Sequence, residues 1–150
     1  MIKKIIFPIL FSIIAMLISP MPNSGLNAHE MSHHGMHSND LFEADKPYPT
    51  MDIELSEDAM SGFNLKINMK NFQFSPETVN LENNGNIGHA HLYVNGQKFR
   101  LYSQYYHISG DLLKSGNNEI KVTINSNDHR QFSKDGEPIQ VVQNIVKSQQ

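Results

Sequence analysis

The sequence predicts an all-β fold: a single antiparallel β-sandwich of immunoglobulin-like or cupredoxin-like type, with about seven strands. Three observations predict it. Several short runs alternate apolar with polar residues. Turn signals recur roughly every ten residues. No longer segment carries the stripe of apolar residues that a helix needs to face a core.

The elements follow in order. Phe63, Leu65, Ile67 and Met69 alternate with Asn64, Lys66 and Asn68, the pattern of a half-buried strand. Phe72-Gln-Phe74 continues the extended chain, and Pro76 marks a break or an edge. Val79 and Leu81 open a further short segment, closed by the turn residues Asn83-Asn-Gly85-Asn86. Ala90, Leu92 and Val94 alternate with His89, His91 and Tyr93. Asn95-Gly96 then gives a strong hairpin signal, with Phe99 and Leu101 on the return strand. After a loop around Ser109-Gly-Asp111 and Ser115-Gly-Asn-Asn118 come Ile120, Val122 and Ile124, another alternating strand. Asp135-Gly136 turns the chain into a last strand through Ile139, Val141, Gln143 and Ile145. The folded domain is expected over residues 51–147, one domain of ordinary size.

Two segments precede it. Residues 1–28 read as a secretory signal peptide: Lys3 and Lys4, an apolar run from Ile5 to Ile18, a turn-rich stretch, and Leu26-Asn27-Ala28 as the cleavage signal. The apolar run falls short of the ~20 residues that span a bilayer, so no stable membrane insertion is expected after cleavage. The predicted address is the bacterial periplasm or the exterior. Residues 29–50 read as a disordered tail rich in His and Met, because they lack periodicity and Lys46-Pro-Tyr-Pro49 forbids a helix.

Composition narrows the chemistry. The 150 residues hold no cysteine, eight His and eight Met. Disulfides, thiolate zinc sites, iron–sulfur clusters, cysteine nucleophiles and blue-copper centres are thereby excluded. Twelve basic and 15 acidic residues give a net charge of −3. The leader lysines leave with the signal peptide, so the mature chain is more acidic still and a poor nucleic-acid partner. No Gly-rich phosphate loop, Gly-x-Ser-x-Gly or His-Glu-x-x-His occurs.

The histidines carry the functional reading. His89 and His91 are two apart on a strand, so both rings project from one face. Two imidazoles so placed can share a metal ion. His107 and His129 fall near strand ends, where sites in sandwiches gather. The expected folded metal site is His89, His91, His107 and His129, with Asp128 or Asn127 accepting the second N–H of a ring. A thiolate-free histidine set suits copper, with zinc as the other candidate. The tail adds His29, Met31, His33, His34, Met36 and His37, a tract that reads as secondary metal capture.

These motifs together resemble a family. Gly88-His-Ala-His-Leu-Tyr-Val-Asn-Gly96, Tyr106-His107 and Asn127-Asp-His129 look like those of small secreted bacterial domains described as immunoglobulin-like or cupredoxin-like. The resemblance covers roughly half the chain, Phe63 to Ile139, with Phe72-x-Phe74-Ser-Pro76 similar to the opening strand of cupredoxins. It implies the sandwich and metal binding through the four histidines, and no known reaction. The Cys and Met ligands of an electron-transfer cupredoxin are missing.

The expected function is an exported copper-binding protein for carriage or sequestration, exchanging metal rather than turning over substrate, with a periplasmic metal-transport partner. Two alternatives stand beside it. One is a non-catalytic interaction module with incidental histidines. The other is a copper enzyme built on His29 as the mature N-terminus.

Overall fold

The computed structural model describes residues 40–148. The leader, the tract from His29 to His37 and its cleavage site lie outside the described residues. Eleven strands follow in chain order: β1 (Leu41–Glu43), β2 (Thr50–Glu57), β3 (Phe63–Lys70), β4 (Gln73–Phe74), β5 (Ile87–Val94), β6 (Gln97–Leu101), β7 (Tyr105–Ile108), β8 (Gly116–Ser126), β9 (Gln131–Lys134), β10 (Glu137–Pro138) and β11 (Gln140–Lys147). They form two sheets in a sandwich-like arrangement, as the alternation predicts. The larger runs β1-β9-β8-β5-β4, with β10 on β9, β11 on β8 and β6 on β5. The smaller is β2-β3-β7.

Alternation builds the core. Ala90, Leu92 and Val94 from β5 and Ile120 and Val122 from β8 meet Ile53 of β2 and Leu65 and Ile67 of β3 between the sheets. Most of these side chains are wholly buried, each Val, Leu or Ile worth about 1.5–3 kcal/mol of transfer free energy. The β5–β6 hairpin closes on Asn95 (φ 51°) and Gly96 (φ 87°), both left-handed as a type I′ turn requires. Asp135 and Gly136 do the same between β9 and β10.

Four differences from the sequence reading have physical causes. The folded region begins at Leu41, ten residues before the expected boundary. β1 adds to β9 in parallel, and Phe42 packs edge-on against Phe132 at 5.3 Å between ring centroids. This second core of Ala44, Ile124 and Phe132 is assembled from distant segments, so no local periodicity announces it. Two pairings, β1–β9 and β4–β5, are parallel in a sheet expected to be wholly antiparallel. Val79 and Leu81 belong to no strand; a 3₁₀ turn at Pro76–Thr78 leads into a loop instead. The segment before the first expected strand is itself β2, in which Met51, Ile53 and Leu55 alternate with the exposed Asp52, Glu54 and Ser56.

Gly88 fixes the approach of β5 to β8. A Cβ there would lie 2.0 Å from the Asn125 carbonyl oxygen, a backbone atom that cannot swing aside. Gly88→Ala is therefore expected to lower stability by roughly 1–3 kcal/mol in urea unfolding. A change under about 0.5 kcal/mol would show that the strand pair tolerates separation there.

Candidate metal centre

β5 puts Ala90, Leu92 and Val94 into the core, so His89, His91 and Tyr93 project from the opposite face. Cross-strand neighbours on that face come from the register. Asn125 and Thr123 of β8 stand opposite His89 and His91, and Arg100 and Lys98 of β6 stand opposite His91 and Tyr93. This outer face is nonetheless closed over the histidines: His89 is 0% and His91 3% exposed. Two rings help to cover it. His129 lies 4.8 Å and Tyr102 6.1 Å from His89 between ring centroids.

His129 arrives from the turn between β8 and β9. Its φ of 73° is left-handed, a conformation more usual for Gly or Asn. The turn holds it there. The His129 N–H donates to the Ser126 carbonyl at 2.9 Å. The Thr123 hydroxyl donates to Asn125 Oδ1 at 2.7 Å, and Asn125 Nδ2 donates to the His129 carbonyl at 3.1 Å. A histidine is thus fixed at a strained position and aimed back over the strand that carries the other two.

One nitrogen from each of the three rings lies within 4.8 Å of the other two. His89 Nε2 is 3.0 Å from His91 Nε2 and 3.0 Å from His129 Nδ1. The rings of His91 and His129 are nearly parallel, 12° apart in plane with centroids 6.2 Å apart. On its far side, His129 Nε2–H donates to Asn80 Oδ1 at 2.7 Å. That bond fixes the neutral tautomer with the Nδ1 lone pair facing His89.

Burial first, and nearby Arg100 and Lys98 after it, pull all three rings toward the neutral form; His89 and His91 are held down to about 3. For His89 the neighbouring His129, and for His91 the neighbouring His89, add to the same effect. Neutral rings cannot satisfy this geometry among themselves. Each ring nitrogen carries one N–H or one lone pair in its plane. His89 Nε2 therefore matches one of its two neighbours and leaves the other contact unmatched. His89 Nδ1, buried as well, has no hydrogen-bond partner among the described residues. An unsatisfied buried polar group costs about 1–3 kcal/mol. A cation between the three nitrogens removes the conflict. Metal–nitrogen bonds of about 2.0–2.1 Å at angles of 90–109° set nitrogens about 2.9–3.4 Å apart. The two 3.0 Å contacts of His89 Nε2 fit that spacing, with all three nitrogens within 4.8 Å of one another.

His89, His91 and His129 are thus brought together as a group that could hold a metal ion. His107 is not. It lies in β7 of the smaller sheet, opposite Asn64, to whose Oδ1 its Nδ1–H donates at 3.1 Å. The expected four-histidine cluster is corrected to three, because β7 pairs with β3 rather than with the β5–β6 hairpin. The expected ring acceptors are corrected too. Asp128 takes the Arg130 guanidinium in an ion pair at 2.8 Å. Asn127 Oδ1 accepts from the Thr78 hydroxyl at 2.9 Å, and its Nδ2 donates to the Glu82 carbonyl at 3.0 Å. Asn127 latches the 76–86 loop onto the turn, and the Asn80 N–H donates to its carbonyl at 2.8 Å. It steers His129 through Asn80. Nothing in the sequence marks Asn80, which lies 49 residues from the ring that it orients.

No family model, curated protein or solved structure matches the chain.

Metal-free protein carries a pH signature. Unfolded histidines take up protons near 6.5, whereas native His89 and His91 resist until about 3. The unfolded state therefore binds more protons across that window, and stability falls as pH drops through it. Each ring contributes up to about 1.4 kcal/mol per pH unit. Chelator-treated wild type should lose stability steeply between pH 6.5 and 4 in denaturant titrations. A His89→Ala/His91→Ala variant should show a distinctly shallower slope; equal slopes would refute the neutral-ring assignment.

Proposed function

We propose that the protein is an exported metal carrier or sequestrant, with copper as its cargo and zinc as the competing ion. The observation that carries this reading is the meeting of three neutral histidine rings, with His89 Nε2 3.0 Å from His91 Nε2 and 3.0 Å from His129 Nδ1. Neutral imidazole is the ligating form, so the site gives up no proton to take metal near neutral pH. Nitrogen ligands without a thiolate favour Cu(II) and Zn(II) over calcium or magnesium. Copper stands above zinc in intrinsic affinity for such donors. The His29–His37 tract, with Met31 and Met36, adds imidazole and soft thioether donors that suit copper in both oxidation states. Export rests on the leader. Among the described residues no helix is long and apolar enough to cross a membrane.

Exchange rather than turnover is the activity. Two ligands stand on a rigid inner strand and the third on a half-buried turn, an arrangement suited to receiving and yielding a metal. The carrier would pass its ion to a metal-transport partner in the periplasm.

The test is Cu(II) and Zn(II) titration of the full chain with His29, His33, His34 and His37 replaced by Ser, which isolates the folded site. One equivalent should bind with sub-micromolar affinity and raise the melting temperature. His89→Ala/His91→Ala should abolish that binding. His129→Gly, which suits the left-handed turn, should keep the fold and lose most of the affinity. Asn80→Ala should weaken binding about 10–100-fold by releasing the His129 ring. Unchanged affinity in the double alanine variant would overturn the proposal.

A further inference from the structure

The charges around the three histidines do not balance a bound metal. The ligand set is neutral, so a divalent ion would keep its full charge. Among the described residues no carboxylate joins the group. Asp128, the nearest acid in sequence to a ligand, is held by the Arg130 guanidinium at 2.8 Å. The neighbours across β6 are cations instead. Arg100 stands directly opposite His91 on the same face, and Lys98 stands opposite Tyr93, two residues on. Both cations act electrostatically on all three rings. Arg100 Nη1 donates to the Tyr102 hydroxyl at 3.2 Å, and the Tyr102 ring lies 6.1 Å from His89. Arg100 and Tyr102 therefore border the histidine group on the β6 side, with hydrogen-bond donors at its rim. A guanidinium carries five N–H donors in a fork suited to planar anions.

We propose that this rim is an anion site, and that the metal binds together with a small monovalent anion such as bicarbonate or a halide. The inference rests on the metal-binding reading of the same three histidines. Three protein nitrogens leave an open coordination position on a tetrahedral or tetragonal ion. The anion enters there by displacing metal-bound water: one metal–oxygen bond breaks, one metal–anion bond forms, and no electron or proton moves. Arg100 donates to the bound anion in a charge-assisted hydrogen bond. The anion also offsets the positive charge that Arg100 and the metal bring to one edge of the histidine group. In this design the protein withholds one ligand and lets a solution anion set its affinity for metal.

The experiment uses the full chain with the four tail histidines replaced by Ser. Cu(II) affinity is measured by chelator competition in a nitrate buffer, then with bicarbonate or chloride added. Azide serves as the spectroscopic probe, because an azide-to-copper charge-transfer band reports direct coordination. Expected results are a Cu(II) affinity at least tenfold tighter with saturating bicarbonate or azide, and one azide per copper. Arg100→Gln should weaken azide binding about tenfold and, by removing a cation that acts on all three rings, tighten copper affinity in nitrate slightly. Arg100→Lys should restore part of the azide affinity, which a purely structural role would not do. Copper affinity equal in every anion, with no azide band, overturns the anion site and leaves the metal carrier intact. Azide binding unaltered in Arg100→Gln removes the rim from the proposal and overturns it. Failure of the chain to bind copper under any anion overturns both readings together.

Discussion

The two-residue period of β5 is the constraint on which the rest of the molecule depends. One strand serves two surfaces at once. Ala90, Leu92 and Val94 close the core against the smaller sheet, and His89 and His91 are thereby committed to the other face. A slip of one residue would drive both imidazoles into the core and expose three apolar side chains. The register is held from both sides: β8 pairs along nearly the whole strand, and β6 returns through a two-residue turn whose left-handed angles allow one alignment. Core packing and site geometry are consequently one property.

The site itself is locally unfavourable, and the surrounding fold sustains it. Three neutral rings press nitrogen against nitrogen, a histidine takes a left-handed backbone, and a buried ring atom lacks a partner. Each feature costs a few kcal/mol at most. An unmatched buried nitrogen, and a histidine where the other left-handed non-glycine positions carry Asn or Asp, are what a binding site preformed for a cation would show. The hydrogen bonds outside the cluster support the same view. Asn125 and Ser126 hold the His129 backbone, Asn80 holds its ring, and Asn127 holds Asn80.

Much of this was legible in the residues. The sandwich follows from alternation at Phe63–Met69, Ala90–Val94 and Ile120–Ile124, because those strands carry the core on one face and polar groups on the other. The turns at Asn95-Gly96 and Asp135-Gly136 follow from backbone angles that few residues adopt. His89 and His91 follow from strand periodicity alone. What escaped depends on contacts between distant segments. His107 and His129 look alike in sequence, each beside a strand end, and which one joins the site is decided by pairing. β7 adds to β3, which places His107 beside Asn64 on the smaller sheet. β9 folds back on β8, which swings His129 over β5. Asn80 and the strand at Leu41–Glu43 escaped for the same reason, since their partners lie 49 and about 90 residues away.

The division of ligands between frame and turn bears on how such a site would release its cargo. His89 and His91 are fixed by an inner strand that moves only if the sheet opens. His129 is different: it is half-buried on a short turn, and its anchors come from the 76–86 loop as well as from β8. Turns of this kind open at far lower free energy than core strands. Loss of His129 alone would leave two nitrogens on the metal, a weaker grip but one that still orients it. The ion would then be exposed on the side of the β8–β9 turn that His129 had covered. A partner offering a third ligand could capture it there without unfolding either protein. The left-handed His129 would in this way do what a ligand on the sheet could not, which is to bind firmly and still let go.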